Sequence, residues 1–171
     1  MKNIFIKIAY IFLSLTFSLS FVSCDEGGDP DPGATTTVKM AGDWWVIGLL
    51  PDGVTPAYGG DYVQFTTYNT AANDNTFWLD DNDNFFEIKA KATANLNNLT
   101  FESDPNTKEY YTDGTVTVTN GVITKNSYTT TSNTVVDEIS FDAEFDWDPG
   151  TVYKFKGHRR TGFLEDENPN Y

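Results

Sequence analysis

Apolar and polar residues alternate along much of this chain. In "EISFDAEFDW", residues 138–147, one face of the alternation carries Ile139, Phe141, Ala143, Phe145 and Trp147. The residues between them are all Glu, Asp or Ser, so the opposite face is polar. A period of two is typical of a β-strand that has one buried and one solvated face. We therefore expect the large apolar side chains of this segment to be buried.

The same alternation recurs in other segments, and none of the chain after residue 24 has helical periodicity. In "FFEIKAKATANL", residues 85–96, an apolar residue stands at every second position from Phe86 onward. In "TVTVTNGVIT", residues 115–124, Asn120-Gly121 predicts a type I′ hairpin turn between two strands. Further strands are predicted at residues 44–50, 62–68, 76–79, 99–102 and 152–157.

These strands follow one another at short spacing, with Gly, Pro, Asp and Asn in the connections. Consecutive strands with short connections favour an antiparallel meander, because neighbours along the chain then pair with each other. A sheet with one apolar face must cover that face by closing on itself or by packing on a second sheet. The sequence thus predicts an all-β fold of about eight strands, arranged as a barrel or a sandwich.

Three small residues, Ala90, Ala92 and Ala94, follow one another on a predicted inward face. Small side chains in a row leave space, and a ligand cavity is one interpretation of that space. Aromatic residues from a facing strand could fill it instead, since Phe, Trp and Tyr make up 15% of the chain. The sequence leaves both interpretations open.

The N-terminus is typical of a secretory signal. Lys2 and Lys7 precede an apolar run that ends at Ser23, and Cys24 follows. The residues before Cys24 resemble a bacterial lipobox, in which the cysteine becomes the lipidated N-terminus of the mature protein. Cys24 is the only cysteine of the chain, so disulfides and thiolate chemistry are not expected.

These features divide the chain into a signal peptide at residues 1–23, a lipidated Cys24 with a flexible acidic tether to residue 37, and a barrel domain at 38–171. The tether, "DEGGDPDPGATTT", has no apolar residue larger than alanine and cannot bury surface. Acidic residues directly after the cysteine resemble the surface-export signal of Bacteroidetes lipoproteins. We expect an outer-membrane protein that is held by its lipid anchor; exposure at the cell surface is one option, since the sequence leaves open which face of the membrane holds the anchor.

The charge excludes one class of partner. The formal net charge is −14, and removal of the signal peptide takes away two lysines and no acid, which makes it −16. A nucleic-acid partner is not expected, because no basic surface exists to displace its counterions. The expected partners are the membrane and a small lipid-like molecule, and we expect a monomer without cofactor.

Catalytic and metal-binding motifs are not visible. No serine lies in a G-x-S-x-G elbow, and His158, the only histidine, is the one possible general base for a serine nucleophile. A single histidine without a free thiol also cannot supply a typical set of zinc ligands. The "DDNDN" turn at residues 80–84 has oxygen ligands for calcium, but a solvated turn explains the same residues. We assign no catalytic residue and no metal site.

Two sequence motifs resemble motifs of known protein families. "AGDWWV" contains Gly42-x-Trp44, and "GHRRTGF" at residues 157–163 closes the strand pattern. A glycine-x-tryptophan on the first strand and an arginine after the last strand resemble the lipocalin-type (calycin) barrel. From residue 42 to residue 167 the chain resembles a Bacteroidetes lipoprotein family described as lipid-binding putative hydrolase. The resemblance implies a closed barrel in which the arginine packs across the tryptophan, and a lipid-like ligand.

Alternation from Tyr153 and Phe155 places Arg159 inward, with its two neighbours His158 and Arg160 outward, whereas a bulge at Gly157 would put Arg160 inside instead. The resemblance implies that the inward arginine, Arg159, lies over Trp44 or Trp45. Arg159 is then either a structural plug or the partner of a ligand's carboxylate or phosphate. A lipid-binding barrel is the expected function, with a lipid or ester hydrolase or a surface accessory protein without a pocket as alternatives. The expected ligand-binding residues are Trp44, Trp45, Ala90, Ala92 and Arg159.

Overall fold

A computed structural model describes residues 34–167 of the chain. The signal peptide, Cys24 and most of the tether lie outside these described residues. The barrel strands are β1 (Gly42–Leu49), β2 (Val63–Asn69), β3 (Thr76–Asp80), β4 (Lys89–Asn95), β5 (Thr100–Glu102), β7 (Thr115–Thr129), β8 (Val135–Phe145) and β9 (Val152–Arg159). A two-residue strand, β6 (Thr107–Lys108), pairs only with β7, and a 3₁₀ turn covers Leu164–Asp166.

The eight barrel strands form one closed antiparallel sheet. Each strand pairs with its neighbours in the chain, β5 pairs with β7, and β9 returns to pair with β1. Closure removes free sheet edges and leaves one face for the interior, as the alternating pattern requires. The predicted all-β meander barrel of about eight strands is confirmed, and no α-helix occurs between residues 34 and 167.

Inward-facing aromatic residues dominate the core. The rings of Phe141 and Phe155 stack with their centroids 4.6 Å apart and their planes 4° from parallel. Phe65 packs on both rings, at 5.8 and 6.0 Å. Ala90 and Ala92 are 1% and 2% exposed and belong to the same buried cluster, so their small side chains lie within an aromatic core.

The expected hairpin at Asn120-Gly121 is wrong. Both residues lie inside the continuous strand β7, where the register with β8 shifts between Thr119 and Val122. Asn120 has a φ of 53°, and a Cβ at Gly121 would lie 2.4 Å from the ring of Phe101. The Asn-Gly pair therefore forms a bulge that lets β5 close the barrel, because only glycine admits the Phe101 ring so near the backbone.

The expected burial of Trp147 is also wrong. Strand β8 ends at Phe145, and the chain turns at residues 146–151, so the alternation that buries Ile139, Phe141 and Phe145 no longer applies. Trp147 is 51% exposed, and its ring stacks on that of Phe145 at 4.9 Å.

The N-terminal part of the described chain lies against the barrel. Thr36 exchanges two hydrogen bonds with Asn73, its N–H donating to Oδ1 at 2.9 Å and its Oγ1 donating to the backbone oxygen at 2.8 Å. Thr37 and Met40 are fully buried. The last residues assigned to the tether from sequence thus contact the fold. Within residues 34–167 no helix is long and apolar enough to cross a bilayer.

Candidate functional site

The two ends of the barrel differ in construction. Successive barrel strands run in opposite directions, so their connections alternate between the two ends of the barrel. One end, here named the Trp147 end, carries the connections β1–β2, β3–β4 and β8–β9 and the segment before β7. The opposite end, named the Trp44 end, holds the start of β1 and the end of β9. The residues expected from sequence to bind a ligand lie mainly in the core and at the Trp44 end.

Arg159 packs across Trp44, as the resemblance implies. These residues face each other in the β1–β9 ladder, and the guanidinium carbon lies 5.8 Å from the Trp44 ring centroid. Arg159 also donates to the backbone oxygen of Ala41 at 3.2 Å and to Asp137 Oδ2 at 3.4 Å. The Trp44 indole N–H donates to Thr67 Oγ1 at 2.9 Å, and Trp44 is fully buried. The Arg159 guanidinium and the Trp44 indole thus both have partners within the protein.

Trp45 and His158 occupy the outer face of the barrel. Arg160 covers Trp45, with the guanidinium carbon 5.2 Å from the ring centroid. His158 also points outward, yet it is only 2% exposed, because the ring of Tyr128 stacks on it at 4.3 Å. Trp45 therefore faces away from the barrel interior. It is not the partner of Arg159, which the sequence had left as an alternative to Trp44.

We expect Arg159→Ala to lower the free energy of unfolding by about 1–2 kcal/mol, because it removes the contact with Trp44 and two hydrogen bonds at a partly exposed position. Chemical denaturation measures this change. Hydrophobic dye binding should be retained, because Arg159 is already engaged by Asp137, Ala41 and Trp44. Loss of dye binding with unchanged stability would instead assign Arg159 to a ligand site.

A cleft of about 700 Å³ opens at the Trp147 end. Three separate connections supply its exposed aromatic residues: Tyr58 is 59% exposed, Phe85 44% and Trp147 51%. The buried ring of Phe86 lies beneath them, and the remaining lining residues are Glu87, Thr112, Asp113, Gly114 and Asp146. Large aromatic side chains seldom remain this exposed together unless they contact a partner or a ligand.

The aromatic rings of the cleft hold one another in place. Tyr58 contacts Phe85 at 5.7 Å, Phe86 at 5.9 Å and Trp147 at 6.3 Å, each with its ring steeply inclined to the Tyr58 ring. The Tyr58 and Tyr153 hydroxyls are hydrogen-bonded at 2.8 Å, and Tyr153 donates to Asp148 Oδ2 at 2.7 Å. Burial, with these two partners, raises the pKa of Tyr153, so its phenol stays protonated and can donate. The cleft is therefore preorganised.

A buried carboxyl group shapes the β3–β4 connection that carries Phe85 and Phe86. Asp81 is fully buried, and its Oδ2 accepts the backbone N–H of Phe86 at 3.0 Å. The Asp81 N–H donates to the backbone oxygen of Ile88 at 2.8 Å, which closes the base of the loop. Burial raises the pKa of Asp81 to about 6, although backbone N–H groups oppose that shift.

The hydrogen bonds around His158 do not form a serine triad. Ser132 Oγ donates to Asp166 Oδ2 at 2.7 Å, so the carboxylate, and not the imidazole, accepts the serine proton. His158 is hydrogen-bonded to the backbone of Asp166, and burial lowers the pKa of His158. Bonds from Ser132 and Thr161 outweigh the burial of Asp166 and lower its pKa to about 2. This network fastens the C-terminal segment to the barrel.

Metal binding has no support in the described residues. Between residues 34 and 167 no group of three or more His, Cys, Asp and Glu side chains is arranged to hold a metal ion. Asp80, in the turn considered for calcium, accepts hydrogen bonds from Tyr68 at 2.7 Å and Tyr111 at 2.6 Å and pairs with Lys89 at 2.9 Å.

The contact between Trp44 and Arg159 was predicted correctly from the sequence and the family resemblance, but the cleft was not predicted. None of Trp44, Trp45, Ala90, Ala92 and Arg159 lines it. A signal was present, since Tyr58, Phe85 and Trp147 are aromatic residues next to Gly, Asn and Asp residues typical of turns. Bulky aromatic residues in predicted connections have no core to fill, which marks them as candidates for binding.

A comparison with curated proteins found no match. A family model described as lipid-binding putative hydrolase matches residues 29–164, which includes every strand of the barrel and the whole cleft. The chain therefore belongs to the lipid-binding putative hydrolase family.

Proposed function

We propose that this protein binds the apolar part of a lipid-like molecule in the aromatic cleft at the Trp147 end. The observation that carries the proposal is the convergence of Tyr58, Phe85 and Trp147, each 44% exposed or more, on one cleft. Membership of a lipid-binding family supports the same class of ligand. Covering these rings with an alkyl chain removes apolar surface from water, which stabilises the complex by roughly 25 cal/mol per Å².

Trp147→Ala tests this proposal. We expect it to weaken binding of the neutral dye Nile red about tenfold or more, because a central aromatic contact contributes on the order of 1.4 kcal/mol or more. Fluorescence titration of the protein gives the dissociation constant. Fold stability should change little, since Trp147 is half exposed and outside the strands.

Trp78→Ala is the matched control, since Trp78 lies on the outer face of β3, where its ring contacts Tyr68 at 6.5 Å and Tyr110 at 5.0 Å. Nile red affinity should be unchanged in that variant. An equal loss in both variants, or no loss in Trp147→Ala, would place dye binding elsewhere and contradict the proposal.

Hydrolysis is the second candidate, suggested by the family description. In the described part of the chain His158 stacks on Tyr128 and has no serine hydroxyl bonded to it, so a serine–histidine mechanism lacks support there. Binding is accordingly the function that the geometry favours.

We further propose that the protein is a lipoprotein held at the outer membrane through Cys24, which lies outside the described residues. The lipobox-like run before Cys24 motivates this assignment. Cys24→Ser should leave an uncut precursor or release the protein from membranes, because no acceptor for the lipid remains. Fractionation of cells followed by mass measurement of the N-terminus checks both results, and unchanged processing and partition would refute the anchor.

A further inference from the structure

We propose that the aromatic cleft selects an amphiphile whose head group is a cation, such as an ammonium or quaternary ammonium group. This inference rests on the proposed function and specifies its ligand class. It depends on which charges border the cleft and on how the aromatic rings are inclined to one another.

Carboxylates border the aromatic rings of the cleft. Glu87 follows Phe86 directly in the chain, Asp146 directly precedes Trp147, and Asp113 lies across the cleft in the segment before β7. The lining contains no lysine, arginine or histidine. An alkyl chain lying on these rings would thus end beside negative charge.

Most of this negative charge is not neutralised by the protein. Lys108 pairs with Asp113 at 2.9 Å, but the ion pairs between residues 34 and 167 include neither Glu87 nor Asp146. Asp146 accepts a neutral donor, the backbone N–H of Thr115, at 2.9 Å. The whole chain adds to the same field with its net charge of −14. A carboxylate or phosphate head group would be repelled here, and a cation would be attracted.

The rings themselves favour a cation. Phe85 and Trp147 are inclined at 65° and 63° to Tyr58, so the three exposed rings form a corner and not a flat platform. A cation within about 6 Å of several ring faces is attracted by their quadrupoles, which is how aromatic cages bind quaternary ammonium groups. The Tyr58 hydroxyl is bonded to Tyr153, which fixes the Tyr58 ring in this arrangement.

At the Trp44 end, Arg159 is already engaged by the protein. Arg159 is the cation that sequence reasoning offered to a ligand carboxylate or phosphate, but it already contacts Asp137, Ala41 and Trp44. Trp44 beneath it is fully buried. The negative charge at the Trp147 end therefore determines which head group the protein prefers.

The experiment measures displacement of Nile red from the protein by three amphiphiles with the same alkyl chain, each below its micelle concentration. The probes are dodecyltrimethylammonium, dodecyl sulfate and dodecyl maltoside. We expect dodecyltrimethylammonium to bind about tenfold more tightly than the neutral maltoside and dodecyl sulfate to bind most weakly. The advantage of the cation should shrink in high salt, because the carboxylates on the cleft border are accessible to screening ions.

Two variants separate the local carboxylates from the general charge of the protein. Glu87→Gln and Asp146→Asn should each reduce the cation advantage about threefold, since each removes one charge beside the rings. Asp83→Asn removes one exposed charge from the same β3–β4 connection, outside the lining, and should leave the advantage unchanged. An equal reduction in all three variants would assign the preference to net charge and overturn the local site.

The remaining outcomes distinguish this inference from the proposed function. Equal displacement by all three amphiphiles, or tighter binding of the sulfate, would overturn the cationic preference and leave an apolar binding cleft. Failure of every amphiphile to displace the dye would overturn both. If tetramethylammonium, which has no alkyl chain, bound as tightly as dodecyltrimethylammonium, the cleft would be a site for a small free cation. That result would overturn the proposal that the ligand is an amphiphile.

Discussion

Replacing Phe141 with alanine is expected to lower the free energy of unfolding by about 3–5 kcal/mol. Phe141 is 2% exposed, and its ring stacks face to face on Phe155 at 4.6 Å. Phe65 and Phe101 pack on it at 5.8 and 6.0 Å. The substitution removes the transfer free energy of the ring and leaves a cavity that the surrounding strands, held by ladders on both sides, cannot close.

Denaturant titration followed by tryptophan fluorescence measures this loss. Val135→Ala on the same strand is a suitable control, because Val135 is 54% exposed and its truncation should cost under about 0.5 kcal/mol. A loss below about 1 kcal/mol for Phe141→Ala would mean that the alternating face of β8 does not form the core.

Asp81→Asn should change the pH dependence of stability by up to about 3 kcal/mol. The pKa of the buried Asp81 is raised from 3.8 to about 6, and each unit of difference corresponds to about 1.36 kcal/mol. For a carboxyl group with a raised folded-state pKa, the stabilising contribution is present below pH 3.8 and is lost as the pH rises through 6. Asparagine does not ionise and keeps an oxygen to accept the Phe86 N–H.

The stability of Asp81→Asn relative to the unchanged protein should therefore rise between pH 4 and pH 7. The comparison is made as a difference because Asp80, Asp137 and Asp166 have lowered pKa values, and their contributions are lost in acid in both proteins. Asp83→Asn in the same loop controls for a change in surface charge. Parallel stability curves for Asp81→Asn and the unchanged protein would show that the buried carboxyl does not titrate in this range.

Local patterns predicted the strands well but not their limits. The alternation in residues 138–147 correctly predicted the burial of Ile139, Phe141 and Phe145, because a period of two follows from strand geometry alone. The same alternation wrongly predicted that Trp147 is buried, because apolar and polar residues continue to alternate in the sequence beyond the end of the strand. Where a strand ends depends on the length of its partner, which the segment itself does not contain.

The Asn120-Gly121 pair shows the same limit at a turn. Its left-handed preference is local, and Asn120 indeed has a positive φ. Whether such a pair reverses the chain or forms a bulge depends on the strands beside it. Here β8 continues past it on one side and Phe101 of β5 packs against Gly121 on the other. Tertiary pairing thus converted a hairpin signal into the bulge that closes the barrel.

By itself the sequence determined the all-β class, the pairing of strands that are neighbours in the chain and, where the alternation is regular, the inward side of a strand. With the family resemblance it also placed Arg159 over Trp44. Only the tertiary structure brought Tyr58, Phe85 and Trp147 together, because they lie in three connections that are distant in the chain and meet only when the barrel closes. Strand geometry is local and repeats every two residues, whereas a cleft built from connections depends on closure, which no single segment encodes.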